Sequence, residues 1–329
     1  MKINDLMKRG TELLGSEYAI MAGAMSWVSE RNLVAAISNA GGFGVIAASS
    51  MSPELLDKEI KATQALTKKP FGVNLITMHP QIMDLIEVCK QNKVTHVVFA
   101  GALPKDTFIK AAKEFAKVIC FAPALMLAKK LIRTGADAIV IEGSEAGGHI
   151  GPVSTSVLAQ EILPHIKEVP VFVAGGIGRG EAIAQYLKMG ASGVQLGTKF
   201  VCATESIAHE NFKNIFIKSA ARNATVSTQV DPDFPVIPVR AIENKATDAF
   251  KRKQIETIAE FNSGKLTKEE AQLQIEHFWA GALRKAVIDG DVENGSVMAG
   301  QSVGMVDKIQ PAKEIIEEIV QQAEAQLAA

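Results

Sequence analysis

Eight short apolar runs, with stretches of helical period between them, constrain this chain more than any other feature. They read YAIMA (18–22), GFGVIAAS (42–49), FGVNLI (71–76), HVVFAG (96–101), VICFAPA (118–124), AIVIEG (138–143), VPVFVAGG (169–176) and GVQLGT (193–198). Successive starts lie 20 to 31 residues apart, about one strand-plus-helix unit each. The runs are almost continuously apolar, as expected for parallel strands buried on both faces. In the gaps, Leu33, Ala36, Ile37 and Ala40 share a helical face that ends at Gly41, and Ser52 followed by Pro53 reads as a helix start. Another helical stretch, GRGEAIAQYLKMGA, closes on Gly190. Eight such units predict a TIM (β/α)8 barrel, with its active site at the C-terminal strand ends. A doubly wound sheet is the competing architecture, but its glycine fingerprint is missing, because the first turn reads AGAMSW.

After Thr198 the repeat stops. Residues 206–285 include the irregular, proline-rich DPDFPVIP and then a helix opened by a capping box of Thr267 and Glu270. The expected organisation is a barrel of residues 1–205 and 286–329, with 206–285 inserted as a mostly helical subdomain over the C-terminal face. The closing AKEIIEEIVQQAEAQL reads as the barrel's last outer helix.

The 329 residues suit one elaborated domain or two, and their net charge of −1, without like-charge blocks, argues against nucleic acid or anionic membrane as partner. Cys89, Cys120 and Cys202 are far apart and form no metal-binding pair, so no metal is expected. No apolar stretch approaches the roughly 18 residues of a membrane span, and MKINDLMKRGTELLG carries no secretory signature. The expected setting is a reducing cytoplasm.

Chemistry gathers at the strand ends. The seventh run leads through Gly175 and Gly176 into a helix, and the eighth ends at Gly197 and Thr198. Backbone N–H groups exposed at such turns favour phosphate, and loops after strands seven and eight form phosphate sites in many TIM barrels. Tight turns alone would also use these glycines. Asn74, ending the third strand, suits the edge of a flavin ring or caps the next helix, and Gln195 carries the same ambiguity. Met25 and Trp27 suit either a flat ring or the core. His149, in the glycine-rich loop IEGSEAGGHIG (141–151), is the candidate proton donor or base. Glu142 and Glu145, just upstream, read as ligand-binding acids or solvated ones.

Together, SNAGGFGVI (38–46), PFGVNL (70–75), GADAIVIEGSEAGGHIG (135–151), VPVFVAGGI (169–177) and GVQLGTKFV (193–201) resemble the FMN-dependent barrel family of nitronate monooxygenases and FabK-type enoyl-acyl-carrier-protein reductases II. The resemblance spans nearly the whole chain. It implies FMN held by Ala22, Gly23, Ala24, Asn74, Glu142, Gly147, Gly148, Gly175, Gly176, Gln195, Leu196, Gly197 and Thr198. It also implies catalysis by His149 and a substrate channel lined by Met25, Trp27, Ser296 and Met298. PVRAIENKATDAF (238–250) and the segment 281–306 are similar to the reductase branch, as is Ile150 where monooxygenases more often have Arg. Departures are the opening IMAGAMSWV, Lys199 in place of Arg, and a long QVDPDFPVIP (229–238).

The resemblance therefore implies reduction of a 2-enoyl thioester, free or on an acyl carrier protein, with NADH or NADPH as donor. Nitronate oxidation by O2 and NAD(P)H-linked quinone reduction are the alternatives on the same site. A flavin-binding barrel without turnover is the non-enzymatic reading, and a homodimer is among the assemblies open to the chain.

Overall fold

The computed structural model describes residues 2–234 and 236–329, with Glu276 described by its backbone alone. All eight predicted runs are strands: β1 Ile20–Ala22, β2 Val45–Ala47, β3 Gly72–Ile76, β4 His96–Ala100, β5 Lys117–Phe121, β6 Ala138–Glu142, β7 Val171–Ala174 and β8 Gly193–Leu196. They pair in parallel in the order β1-β8-β7-β6-β5-β4-β3-β2. A parallel bridge between Met21 and Phe43 joins β1 to the approach of β2, through Phe43 N to Ile20 O at 2.9 Å and Ala22 N to Phe43 O at 2.8 Å. The sheet thus closes on itself as a TIM barrel.

The strands are short, and nearly every residue in them is buried, because the barrel interior takes one set of side chains and the helix layer the other. The helix starts follow local chemistry. Ser52 caps the helix Pro53–Leu66 by accepting from Leu55 N, while Thr267 and Glu270 cap Lys268–Val287 reciprocally. The predicted last outer helix is Ala312–Ala328, and it packs chiefly on Gly180–Lys188. No helix among the described residues is long and apolar enough to cross a membrane.

Residues 206–285 hold the helices Glu210–Lys218, Lys245–Asn262 and most of Lys268–Val287, together with two strands, Ala224–Val226 and Val239–Ile242. Phe234, Val236, Val239, Phe250, Ile258, Ala271, Ile275 and Trp279 make a second apolar core there. Of the irregular stretch 231–238, Pro235 lies outside the described residues. Val239–Ile242 is the centre of a small antiparallel sheet. Ala224–Val226 borders one edge, and the two-residue strands Gly148–His149 and Val297–Met298 share the other.

One buried ion pair ties the outer helix to the mouth. Lys199 follows β8 and is 5% exposed in its side chain, with its Nζ 3.0 Å from Glu318 of Ala312–Ala328. Removing Glu318 would leave a buried ammonium with only the Met305 carbonyl oxygen at 3.4 Å. Glu318→Ala should therefore cost about 2–3 kcal/mol, below the ~3–5 of a fully buried pair because Glu318 stays partly exposed. Lys199→Met with Glu318→Leu should recover most of that loss. Urea unfolding of the three proteins measures both, and an unchanged Glu318→Ala protein would show that the pair does not anchor this helix.

Candidate active site

Three segments meet at the barrel mouth with almost no side chains between them. A Cβ on Gly147 would come within 2.5 Å of Gly300 N and 2.6 Å of the Ala299 carbonyl carbon, so the β6 loop lies backbone-to-backbone against the segment after Met298. Gly300 N also donates to Thr198 Oγ1 at 3.0 Å, and Gln301 N donates to Glu145 O at 2.9 Å. These contacts fix the loop after β6, the turn after β8 and the late segment relative to one another.

The turn after β7 adopts a conformation suited to glycine, with φ of +91° at Gly175 and +73° at Gly176. Thr155 supports it by donating from Oγ1 to Gly175 O at 3.0 Å. The same Thr155 donates its N–H to Glu145 Oε2 at 2.9 Å, and its hydroxyl proton is shared between that oxygen and Gly175 O, so Glu145 holds the loop and is not a free acid. Ala174 lies beside Gln195 in the ladder, which sets the turns after β7 and β8 side by side. Among the described residues, the N–H groups of Gly176, Ile177, Gly197 and Thr198 donate to no protein acceptor. Orphan backbone donors are uncommon in folded proteins, and four on adjacent turns form a cradle for an anion.

Polar side chains at other strand ends are also under-used. Gln195 is 7% exposed, and its amide has no hydrogen-bond partner among the described residues. Asn74 does not cap the following helix: its Nδ2 donates to Val98 O at 3.2 Å, and no donor reaches its Oδ1. Glu142 ends β6 opposite Ala174. Burial pushes its carboxyl up to about 7, and no hydrogen-bond or ion-pair partner offsets the cost among the described residues.

Ala22 ends β1 and Leu196 ends β8, and they are joined through Gly23 N to Leu196 O at 2.8 Å. Ala24 and Met25 follow, with Met25 Sδ 3.6 Å from where a Gly197 Cβ would stand. Trp27 has φ +66°, unusual for a bulky residue, and its indole N–H is buried without an acceptor. The Arg284 guanidinium, paired with Asp289 at 3.2 Å, lies 5.8 Å from the Trp27 ring centroid. Met298 Sδ is 3.6 Å from a Cβ built on Gly148. Ser296 is buried behind it: its N–H donates to Ala282 O, and its hydroxyl has no partner.

His149 is exposed and stands opposite Val239 in the small sheet, while Ile150 N donates to Pro238 O at 3.0 Å. The histidine loop is thus an edge of that sheet, which its sequence did not indicate. Arg240, given no individual role from sequence, is the other part of this attachment. Its guanidinium is buried and donates from Nε to Ser144 O at 2.9 Å and from Nη1 to Ala224 O at 2.5 Å. No local signal marks Arg240 or Thr155, since their partners lie far away along the chain.

With this geometry in place, comparisons with known proteins become informative. The nitronate monooxygenase family model matches residues 8–92 and 84–322. A Mycobacterium tuberculosis protein named (3aS,4S,5R,7aS)-5-hydroxy-7a-methyl-1-oxo-octahydro-1H-indene-4-carboxyl-CoA dehydrogenase is 32% identical, over 94% of each chain. A probable nitronate monooxygenase of Staphylococcus saprophyticus is 29% identical, over 97% of this chain and 98% of the relative. The solved structure of FabK from Thermotoga maritima superposes with a TM-score of 0.86 at 37% identity, covering 97% of each chain.

The attachment of the histidine loop is open to test. Arg240→Met should leave the Ser144 and Ala224 carbonyls short of donors, at a cost of about 2–4 kcal/mol in total. Amide hydrogen exchange should accelerate across residues 143–151 more than in β3–β5. Uniform acceleration, or none, would show that Arg240 does not hold the loop.

Proposed function

This chain belongs to the nitronate monooxygenase family, and within it we propose that it reduces 2-enoyl thioesters with NADH or NADPH on bound FMN. The observation that carries the reading is the set of unpaired backbone donors on the turns after β7 and β8. These fit a single terminal phosphate, and the chain lacks the glycine fingerprint of a dinucleotide fold. The amides of Gln195 and Asn74 offer the mixed donors and acceptors that a flavin ring edge needs. The two alanines and the glycine of the first turn, Ala22, Gly23 and Ala24, allow a flat ring to approach the backbone. FMN, when bound, supplies hydride transfer between the nicotinamide and the β-carbon of the enoyl group.

The protein's own part is to position and to move a proton. His149, held at the edge of the small sheet, donates from its imidazole N–H toward the α-carbon or polarises the thioester carbonyl. Met25, Trp27 and Met298 line the approach, with Ser296 behind them, and residues 206–285 form the substrate-side subdomain. Both substrates use one site in turn, so the kinetics should be ping-pong. Thioester as the second substrate is supported by the likeness to FabK and by the carboxyl-CoA relative. The probable nitronate monooxygenase of similar length favours nitronate with O2 as the second reading.

Purified protein should be yellow and release FMN, not FAD, on denaturation. At Gly176 a Cβ would meet Glu145 Cβ at 2.9 Å, so substitution there confounds strain with loss of phosphate. Gly197 has φ −112° and room for a Cβ. Gly197→Asp should therefore stay folded yet lose FMN by at least tenfold in affinity, since a carboxylate beside the phosphate costs on the order of kcal/mol. Stoichiometric FMN in that variant would move the phosphate elsewhere.

His149→Ala should keep FMN, reduce normally with NAD(P)H, and slow reoxidation by crotonyl thioester by about 10²–10⁴-fold. Anaerobic stopped-flow separates the half-reactions, with a nitronate and a quinone as comparison acceptors. Failure of NAD(P)H to bleach the flavin, with O2-dependent turnover of nitronate, selects the monooxygenase. Wild-type reoxidation of His149→Ala by every acceptor would make the histidine structural.

A further inference from the structure

Among the described residues, Glu142 is a carboxyl at the mouth that the fold leaves without a partner. It is the last residue of β6, between β5 and β7 in the barrel wall. The charged groups on the neighbouring elements are committed or distant. Glu145 in the following loop is bound to Thr155, and Arg240 of the small sheet donates to Ser144 O and Ala224 O. Lys117 starts β5 at the opposite, N-terminal end of the barrel, and Asp137, just before β6, pairs there with Lys113. β7 has no ionisable side chain, and His149 is exposed at the sheet edge opposite Val239. No cation or donor among the described residues compensates a negative charge on Glu142.

Glu142 is partly buried in the open mouth, and a carboxylate shut off from water without donors is costly, whereas the neutral acid brings its own O–H donor. A flat ligand filling the mouth would remove the remaining water and sharpen that preference. We propose that Glu142 serves the site as a neutral carboxylic acid, donating its O–H to an oxygen of the bound cofactor, so that binding above neutral pH takes up a proton from solvent. The cofactor's identity rests on the FMN reading above, since its carbonyl and hydroxyl oxygens are suitable acceptors. The proton balance is simple: Glu142 carboxylate, one proton and FMN give the complex of neutral Glu142 with FMN.

The sign follows directly. With the apoprotein's carboxyl at about 7, the binding-competent acid is half populated at pH 7 and roughly 1% populated at pH 9. The apparent FMN affinity should therefore weaken about 50-fold between those pH values, since it scales with the competent fraction. A phosphate monoester's second ionisation, near pH 6, is largely complete by pH 7 and adds little to the slope.

Two measurements test the inference. In the first, carbon-13 NMR of the apoprotein's Glu side chains, compared with Glu142→Gln, follows Glu142 without any flavin. A midpoint near 7 supports the neutral acid, and one in the ordinary carboxylate range overturns it. In the second, flavin fluorescence gives the FMN Kd from pH 7 to 9. The wild type should weaken about 50-fold, Glu142→Gln should stay flat, and calorimetry in two buffers at pH 8.5 should find close to one proton taken up per FMN. A flat wild-type curve, tighter binding at high pH, or the same slope in Glu142→Gln overturns the donor role. Failure to bind FMN at any pH would sink the cofactor reading instead, and the apoprotein titration would still decide the state of Glu142.

Discussion

The mouth of this barrel depends on a backbone approach that only glycine allows. Gly147 lies so close to Ala299 and Gly300 that even one methyl group would collide with main-chain atoms. Around that contact, Gly300 N reaches Thr198 and Gln301 N reaches Glu145 O. Segments more than a hundred residues apart are thereby held in one arrangement. Larger residues would fill the gap with flexible side chains and lose the fixed separation that an active site needs.

That rigidity is set against unused hydrogen-bonding capacity. In the barrel wall, backbone groups pair along the ladder. At the mouth, four backbone N–H groups, the Gln195 amide, the Asn74 Oδ1 and the Glu142 carboxyl make no protein bond among the described residues. Several of these groups are partly open to the mouth, and so much unused hydrogen-bonding capacity on adjacent strand ends suits a polar ligand. Away from the mouth, Gln254 Oε1, Thr257 Oγ1 and Trp279 Nε1 are buried without a partner, whereas other buried groups are satisfied within the chain. Buried Lys213, for example, donates to both Ala203 O and Ser206 O.

The sequence makes the barrel legible because its signals are local. Each apolar run, each cap such as Ser52 or Thr267, and each helix-ending glycine such as Gly41 acts within a few residues. The glycine pair at 175–176 was readable for the same reason, since its turn chemistry is written where it is used. The small sheet was not readable. Gly148–His149 and Val297–Met298 contribute two residues each, too few to show a period of two, and their partner Val239–Ile242 lies far away in sequence. Arg240 and Thr155 escaped for a related reason: each acts on carbonyls or carboxylates that only folding brings near. The roles of Glu142 and Glu145 could be separated only once Thr155 was seen to occupy one of them.

The small sheet also joins the histidine loop of the barrel to the segment 206–285. His149 belongs to the barrel's loop, yet its strand partner is Val239, and Ile150 is held by Pro238. Just before that partner lies the proline-rich stretch 229–238. A change there acts on the histidine edge through its pairing with Val239 and the bond from Ile150 N to Pro238 O. The barrel face, fixed by Gly147 against Ala299 and Gly300, does not move with it. On this architecture the strand Val239–Ile242 sets the sheet that carries the histidine edge, whereas the unpaired backbone donors lie at the barrel's strand ends.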